Sequence, residues 1–338
     1  MGVDDLIFVI IISLTLSVTV IFNIVLLVVI LITPKMLTPT NILICNLAVS
    51  DIFLSGMVTS QNVHDISHAS LDYFEGDFSC RLVNFSPLVC VMASIYSMVA
   101  VSFERKQAIV VTQHRKTTMT QAVLVVPIIW LLSLIFCIPT IHEYTQYVED
   151  TGNGTLIIRC GSHGVSRTFS IINGIGILLL AYIVPLVILV VNYGSIVLFF
   201  RSRRLIGDVT ESNGLTTRAL FEIRINVVKM LTLMSALFTV SWLPYFVLLI
   251  IEELATRLTP TAQLRISLSV LSTTYNFGLN VFYNRNLRTV LKAMVMCQKV
   301  STKKNTVFIA NHRRQSQASP ACEVIRSKKV LDFKHGYI

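Results

Sequence analysis

The sequence has few charged residues and few cysteines for its length. Aspartate, glutamate, lysine and arginine make up 14% of its 338 residues, whereas a soluble domain averages about 25%. So little charge cannot cover the surface of an ordinary soluble protein of this size. Seven cysteines are too few for a disulfide-rich secreted scaffold, and a hydrophobic fraction of 54% excludes a disordered chain. An integral membrane protein remains.

Long apolar runs occupy most of the chain. A helix needs about 20 apolar residues to cross the hydrocarbon core of a bilayer, and runs of that length recur between short polar segments. They predict seven spans, at residues 6–32, 41–64, 81–103, 121–141, 169–200, 225–251 and 263–283. The seventh run contains Arg265, Asn276 and Asn280, so hydropathy alone leaves a chain of six spans open.

The placement of the basic residues favours seven spans over six. Lysine and arginine concentrate in cytoplasmic loops. With the N-terminus outside, 23 of the 28 basic residues lie on the cytoplasmic side, and 12 of these follow Tyr283. We interpret the first run as a retained helix rather than a signal peptide, because it is long and follows Asp4 and Asp5.

These patterns predict an all-α membrane protein that folds as a seven-transmembrane helix bundle. Its parts are an extracellular N-terminus at residues 1–5, a membrane domain at residues 6–296 and a cytoplasmic basic tail at residues 297–338. The basic surface then faces the anionic inner leaflet and a protein partner rather than nucleic acid.

Short motifs occur in the spans in a fixed order. Along the chain these are Asn46-Leu47-Ala48-Val49-Ser50-Asp51, Cys80, Glu104-Arg105, Trp130, Pro185, Tyr193, Trp242-Leu243-Pro244 and Asn286-Leu287-Arg288. Together they resemble the motifs of the rhodopsin-like (class A) G-protein-coupled receptors over residues 20–296. The resemblance implies a short amphipathic eighth helix that opens at Asn286, and a multi-pass receptor of the plasma membrane.

Asp51 is an ionisable group inside a predicted span, so it is expected to face the bundle interior. The resemblance implies that it binds a sodium ion together with Ser94, Ser272 and Asn276. The alternative is a hydrogen-bonded carboxylate without an ion. No other metal or cofactor is expected.

The resemblance also implies a disulfide and an activation switch. The disulfide joins Cys80 to Cys160 in the outer loop. Glu104 and Arg105 form the switch that couples the receptor to a heterotrimeric G protein, with arrestin as a further partner, and Tyr193 is the expected partner of the freed arginine. A solvated surface ion pair is the alternative for Glu104 and Arg105.

The sixth span is expected to contain an activation hinge. Pro244 lies in mid-helix, where it removes a backbone hydrogen bond and permits a kink. Phe238 and Trp242 lie on the same helix and would repack between two arrangements as the hinge moves. The alternative for this aromatic pair is ordinary core packing.

The chain departs from the family pattern mainly in the activation motifs. The seventh span reads Asn276-Phe277-Gly278-Leu279-Asn280 where the family has N-P-x-x-Y, and Lys106 follows Arg105 where the family has an aromatic residue. Ser241 replaces a cysteine, and Arg224 leaves no acid at the base of the sixth helix to hold Arg105. A receptor-like protein without ordinary coupling, such as a ligand trap or heterodimer partner, therefore stays open.

The ligand predicted from the sequence is a peptide. Pro87 stands where monoamine receptors have an aspartate, and residues 263–283 contain no lysine for a retinal Schiff base. The outer loop is typical of a β-hairpin with a Gly152-Asn153-Gly154 turn, and it resembles the hairpins of peptide receptors. Acidic residues outnumber basic ones on the predicted outer side, which suits a cationic peptide, unless they only solvate the loops.

Three further expectations concern the pocket and two modifications. Pro87, Trp242 and Tyr245 are expected to line the ligand pocket. Asn153 begins an N-x-T sequon and is a predicted glycosylation site. Cys297 follows the amphipathic stretch, so it is predicted to be palmitoylated in contact with membrane lipids or to be a free thiol.

Two other classes of membrane protein find little support. An enzyme is disfavoured because no HExxH, GxSxG or Walker A string occurs. His64 and His68 are four residues apart, but two histidines at a membrane rim are usually solvated. A transporter or channel would need several charges along its path, and Asp51 is the one clear intramembrane charge.

Overall fold

The structure is a computed structural model, and the residues it describes are 3–67, 76–110, 117–150, 156–205, 228–229, 232–233, 235–248, 273–275, 278–279, 281–283, 285–295, 300–303 and 306–309. The chain divides into two compact units, Met1–Tyr283 and Asn284–Ile338.

The first unit is built from long helices at the predicted spans. They are α1 (Val3–Ile32), α2 (Pro39–Ser67), α3 (Asp77–Ile109), α4 (Met119–Glu143), and a fifth span made of α5 (Arg167–Leu178), a π-helical turn (Leu179–Ile183) and α6 (Val184–Leu205). In the described part of the chain, five helices are long and apolar enough to cross a membrane. They confirm the first five predicted spans.

The sixth and seventh spans are described in part. The sixth contains an apolar helix at Ser235–Leu248, which we call the sixth-span helix. Residues 273–275, 278–279 and 281–283 of the seventh are helical. A single 3₁₀ turn, Pro34–Met36, connects α1 to α2.

The third helix is central to the packing. α1 packs on α2, α2 on α3, and α3 on both α4 and α6. Large side chains such as Met92, Ile95 and Ile196 are buried between the helices, whereas Leu14, Leu131 and Leu198 are more than half exposed. An exterior this apolar suits hydrocarbon rather than water.

Local sequence signals explain where two of these helices begin. Thr118 and Gln121 form a reciprocal capping box at the start of α4, which satisfies two backbone donors at once. Gly76 precedes α3 with φ at 125°, a backbone conformation that side chains disfavour. The glycine therefore allows Asp77 to be the first residue of α3.

Pro185 explains the π-helical turn in the fifth span. In the π register a carbonyl pairs with the N–H five residues on, and the Val184 N–H bonds the carbonyl of Leu179 in this way. The corresponding partner of Leu180 would be Pro185, which has no N–H. Tyr96 of α3 supplies the missing donor, because its hydroxyl donates to the Leu180 carbonyl over 3.3 Å.

The outer loop forms the predicted hairpin. β1 (Thr145–Asp150) pairs antiparallel with β2 (Leu156–Gly161), and Gln146 lies opposite Cys160. We call β1 and β2 the outer hairpin. The chain then returns past α4 at Gly164, where a Cβ would lie 2.5 Å from the His142 carbonyl oxygen, so only glycine fits.

The second unit contains a helix at Arg285–Val295 and two paired strands, β3 (Val300–Lys303) and β4 (Thr306–Ile309). In the helix Leu287 and Val290 are buried, while Arg288 and Lys292 are exposed. A helix thus forms in the amphipathic stretch, and its identity as a receptor's eighth helix stays a prediction. The strand pair was not predicted for the basic tail.

Candidate functional site

A set of hydrogen-bonded polar side chains, centred on Asp51 and Asn46, lies deep among α2, α3 and α4. We call this set the polar group. Asp51 is 1% exposed, and the Ser94 hydroxyl donates to its Oδ1 over 3.1 Å. Close by in sequence, Asn46 accepts a hydrogen bond from Trp130 Nε1 at 2.9 Å and donates to Ser97 Oγ at 2.8 Å. A single side chain of α2 thus ties three helices together.

The described members of the predicted sodium set come together. A carboxylate and a hydroxyl present hard oxygen atoms, the ligand type that alkali and alkaline-earth cations prefer. The Asp51–Ser94 pair therefore fits a sodium ion by its chemistry. Ser272 and Asn276 lie outside the described residues.

Glu104 and Arg105, in the second-last turn of α3, form a partly buried cluster with Thr40 of α2. Arg105 Nε lies 3.1 Å from Glu104 Oε2 as an ion pair. Thr40 donates a hydrogen bond to the same Glu104 oxygen and accepts one from Arg105 Nη2. Glu104 is 9% and Thr40 2% exposed, and the Arg105 side chain is 22% exposed, so the pair is partly buried rather than a solvated surface pair.

We call the end of the bundle at Arg105 the inner end and the end at Cys80 the outer end. At the inner end the described partners of Tyr193 include Ser235 of the sixth-span helix, with which its hydroxyl is hydrogen-bonded. Tyr193 is buried. The role predicted for it, as partner of a freed Arg105, stays a prediction.

A second bridge at the inner end joins α3 to the fifth span. Lys106 Nζ donates to Asn192 Oδ1 over 3.3 Å, and Asn192 Nδ2 donates to Ser102 Oγ over 2.9 Å. Asn192 and Ser102 are both buried. The lysine that departs from the family pattern therefore has a defined partner.

An aromatic cluster surrounds the predicted hinge. Trp242 lies with ring centroids 6.3 Å from Phe238, 5.8 Å from Phe246 and 5.0 Å from Tyr245. Tyr182 of the π-helical turn packs on Phe238 and Phe246, at 6.0 and 5.6 Å. Its hydroxyl also donates to the Thr239 carbonyl over 3.3 Å, so the fifth span holds the sixth beside the proline.

Ser241 also has a defined partner. It stands where the family has a cysteine, and it is hydrogen-bonded to Tyr275 of the seventh span. Ser241 is 2% exposed. The substitution therefore adds a polar link between the sixth and seventh spans.

A covalent bond links the outer hairpin to α3 at the outer end. Cys80 and Cys160 form the predicted disulfide, with Cα atoms 5.6 Å apart. Cys45, Cys90 and Cys137 are buried free thiols, as expected of small apolar fillers.

A buried carboxylate also lies at the outer end, between α4 and α5. Glu143 is 5% exposed, and Asn173 Nδ2 donates to its Oε2 and to Thr140 Oγ1. Burying a carboxylate requires such hydrogen bonds. Glu143 is one of the acidic residues on the predicted outer side, and the structure places it inside the helix packing.

The structure brings two of the three predicted pocket residues into contact. Trp242 and Tyr245 of the predicted pocket are in ring contact, and Pro87 lies half-buried inside α3. Whether these three bind a ligand stays a prediction. Asn153 and Cys297, the predicted modification sites, lie outside the described residues.

Sequence reasoning missed Thr40, Asn192 and Tyr182. The aromatic cluster could have been predicted in part, because Phe238, Trp242 and Phe246 are spaced four residues apart and therefore share a helix face. For Thr40 and Asn192 no local pattern was available, because each bonds a side chain of a distant span.

Comparison with known families identifies the class of this bundle. The chain matches the family described as "7 transmembrane receptor (rhodopsin family)" over residues 22–301. It belongs to that family and is a multi-pass membrane protein, as the sequence motifs indicated.

Similar proteins include two kinds of receptor. The Substance-P receptor of Meriones unguiculatus is 28% identical over 229 residues, covering 68% of this chain and 54% of that receptor. The Neuromedin-K receptor of Oryctolagus cuniculus is 28% identical over 265 residues, covering 76% and 54%, and that of Homo sapiens is 26% identical over 287 residues, covering 83% and 59%. The chain spans about half the length of the curated relatives it matches.

Proposed function

We propose that this protein is a plasma-membrane receptor that binds an extracellular peptide and activates a heterotrimeric G protein by outward movement of the sixth span. The observation that carries the proposal is the partly buried cluster of Glu104, Arg105 and Thr40. A charged pair that is largely removed from water is costly to maintain. In a bundle of the rhodopsin family, such a pair is explained by a switch that a docking partner releases.

The orientation we propose is supported by the basic residues. The 23 basic residues of the predicted cytoplasmic segments favour a cytoplasmic inner end and a cytoplasmic tail. The outer end and its hairpin then face the exterior. Arrestin and anionic lipids are further partners of this basic surface.

A peptide ligand is supported by the relatives and by the outer hairpin. The similar receptors are named for substance P and neuromedin K. The outer hairpin of this chain is fixed by a disulfide next to α3. We propose that the peptide passes this hairpin and reaches Trp242 and Tyr245, whose rings link it to the hinge at Pro244.

We propose that a sodium ion binds to the polar group. Asp51 and Ser94 would hold it with oxygen atoms, and its charge would be balanced by the buried carboxylate. The ion would stabilise the arrangement of α2 and α3 seen here, since a ligand stabilises the conformation that it prefers.

A second candidate function is a receptor-like protein that binds ligand without coupling. It is favoured by one observation: the partners described for Arg105 lie on α2 and α3, so no acid of the described sixth-span helix holds it. The same experiment separates the two functions.

The test is a second-messenger assay in cells that express the full chain. Substance P, neuromedin K and a peptide library serve as probes, and wild type is compared with Arg105→Ala and with Leu14→Ala, a control at an exposed position of α1. We expect a peptide-driven or basal signal that Arg105→Ala removes and Leu14→Ala retains. Surface-expressed wild type with no signal of either kind, or a signal that Arg105→Ala leaves unchanged, would reject G-protein coupling.

A further inference from the structure

A second anchor, besides the disulfide, holds the outer hairpin to α3. The carboxylate of Asp77 accepts, at Oδ1, a hydrogen bond from Thr145 Oγ1 over 2.6 Å and one from the Gln146 backbone N–H over 3.1 Å. Both donors belong to β1. The disulfide reaches β2 through Cys160, so each strand of the hairpin has its own attachment to the first turn of α3.

The other oxygen of Asp77 is held by an arginine one turn along α3. Arg81 Nε donates to Asp77 Oδ2 over 2.7 Å, and Arg81 Nη1 donates to the Ile141 carbonyl over 3.1 Å. Ile141 lies in the last turn of α4. The Asp77–Arg81 pair therefore joins three elements, α3, α4 and β1, at the outer end.

The Asp77–Arg81 pair is suited to fixing the direction of the Asp77 carboxylate rather than to stabilising the fold. The side chains of Asp77 and Arg81 are 44% and 31% exposed, and exposed ion pairs at this spacing contribute little stability. The carboxylate nevertheless accepts three hydrogen bonds in three directions, which restricts its rotation. Arg81 occupies one oxygen and so leaves the other directed at β1.

The disulfide alone does not determine where β1 lies. A disulfide fixes one pair of Cα atoms, here 5.6 Å apart, but a two-stranded hairpin can still rotate about such a point. Two-stranded hairpins are also marginally stable by themselves. The hydrogen bonds to Thr145 and Gln146 remove this rotation, because they lie on the strand that the disulfide does not reach.

We infer that Asp77, oriented by Arg81, is a positioning residue for ligand access: it holds β1 in place at the outer end and so controls the opening through which a peptide passes to the aromatic cluster. This inference rests on the proposed function, since it assumes that ligand arrives from the outer end. Beyond the proposed function, the inference says that Asp77 and Arg81 set the rate at which a peptide enters the bundle.

Three variants separate the contacts of Asp77. Asp77→Ala removes every hydrogen bond of the carboxylate. Asp77→Asn keeps an acceptor for Thr145 and Gln146 but replaces the oxygen that pairs with Arg81 by an amide that cannot accept. Thr145→Val keeps the shape of β1 and removes one donor, and Val148→Ala, at an exposed position of the same strand, is the control.

The first measurement is hydrogen exchange of the hairpin amides in the full chain, held in lipid nanodiscs. We expect Asp77→Ala to speed exchange at residues 145–148 by about tenfold, as loss of the anchoring hydrogen bonds allows β1 to open. Asp77→Asn and Thr145→Val should both fall between wild type and Asp77→Ala at Gln146, because the first loses the Arg81 pair that orients the side chain and the second loses one donor. Exchange near Cys160 should change little in any variant.

The second measurement is access to the pocket without a ligand. In a Tyr245→Cys background, the rate of modification by a water-soluble, positively charged methanethiosulfonate reagent reports the opening. We expect Asp77→Ala to change this rate by about threefold or more and Val148→Ala to leave it unchanged. If Asp77→Ala does not reach the cell surface, the same measurements are made on Thr145→Val and Asp77→Asn, which are conservative substitutions.

Unchanged exchange of β1 in the Asp77 and Thr145 variants would overturn the anchor. Faster exchange with an unchanged modification rate would overturn its role in access. Neither measurement uses a peptide or a G protein, so the absence of signalling from wild type would count against the proposed function alone.

Discussion

Lys106 of α3 donates a hydrogen bond over 3.3 Å to the side-chain oxygen of Asn192 in the fifth span. The next residue of that span, Tyr193, is hydrogen-bonded to Ser235 of the sixth-span helix. α3 is thus linked to the sixth span through the fifth.

We expect the hydrogen bond between Lys106 and Asn192 to limit basal signalling. Lys106→Met should raise basal second-messenger output by about 2–10-fold, because one hydrogen bond of about 0.5–1.5 kcal/mol shifts a two-state equilibrium by that factor. Lys106→Arg retains a donor and is the matched control. Equal basal output from Lys106→Met and wild type, at equal surface expression, would contradict the restraint.

Thr40 predicts a stability effect at the inner end. Thr40→Val removes the hydroxyl that contacts both Glu104 and Arg105, and leaves the buried Glu104 and the partly buried Arg105 with one partner fewer. The free energy of unfolding should fall by about 1–3 kcal/mol, measured as a lower Tm of the purified chain in detergent. Thr40→Ser keeps the hydroxyl and should retain most of the stability; a Thr40→Val variant as stable as wild type would contradict the role of the hydroxyl.

The π-helical turn predicts a role for one hydroxyl of α3. Tyr96→Phe leaves the Leu180 carbonyl without the donor that replaces the missing N–H of Pro185. We expect the free energy of unfolding to fall by about 1 kcal/mol, whereas Phe136→Leu, which alters only the ring that packs on Tyr96, controls for the aromatic contact. A Tyr96→Phe variant as stable as wild type would show that the carbonyl finds another partner.

The polar group predicts a sodium dependence. The Tm of wild type should be higher in sodium chloride than in choline chloride at the same ionic strength, since an ion that binds only the folded chain stabilises it by about 1.4 kcal/mol at tenfold its Kd. Asp51→Asn should remove the difference and Ser94→Ala should reduce it. A difference that persists in Asp51→Asn would place the ion elsewhere.

The spans and the outer hairpin were predictable because their signals are local. Apolar runs of sufficient length determined the first five helices, and alternating residues around a glycine-rich turn determined the pairing of β1 with β2. The disulfide partners Cys80 and Cys160 came from the family resemblance, and the structure confirms them.

The contacts between spans were not predictable in the same way. Whether Asn192 faces Lys106, or Thr40 faces Arg105, depends on how far each helix is rotated about its axis, and no pattern within one helix determines that rotation. Asp77 illustrates the same limit: its sequence neighbours predict the ion pair with Arg81, but not the hydrogen bonds to Thr145 and Gln146, which depend on where the hairpin returns.

The attachment of Arg105 to Thr40 has a kinetic consequence. Thr40 and Glu104 lie on α2 and α3, which pack on each other, so in the proposed mechanism the arginine can remain bound while the sixth span moves. Opening of the inner end and release of the arginine would then be separate steps, each with its own barrier. A receptor that works in the proposed way would pass through an open intermediate that is not yet competent to bind a G protein, and the lifetime of that intermediate would set the delay between ligand binding and signal.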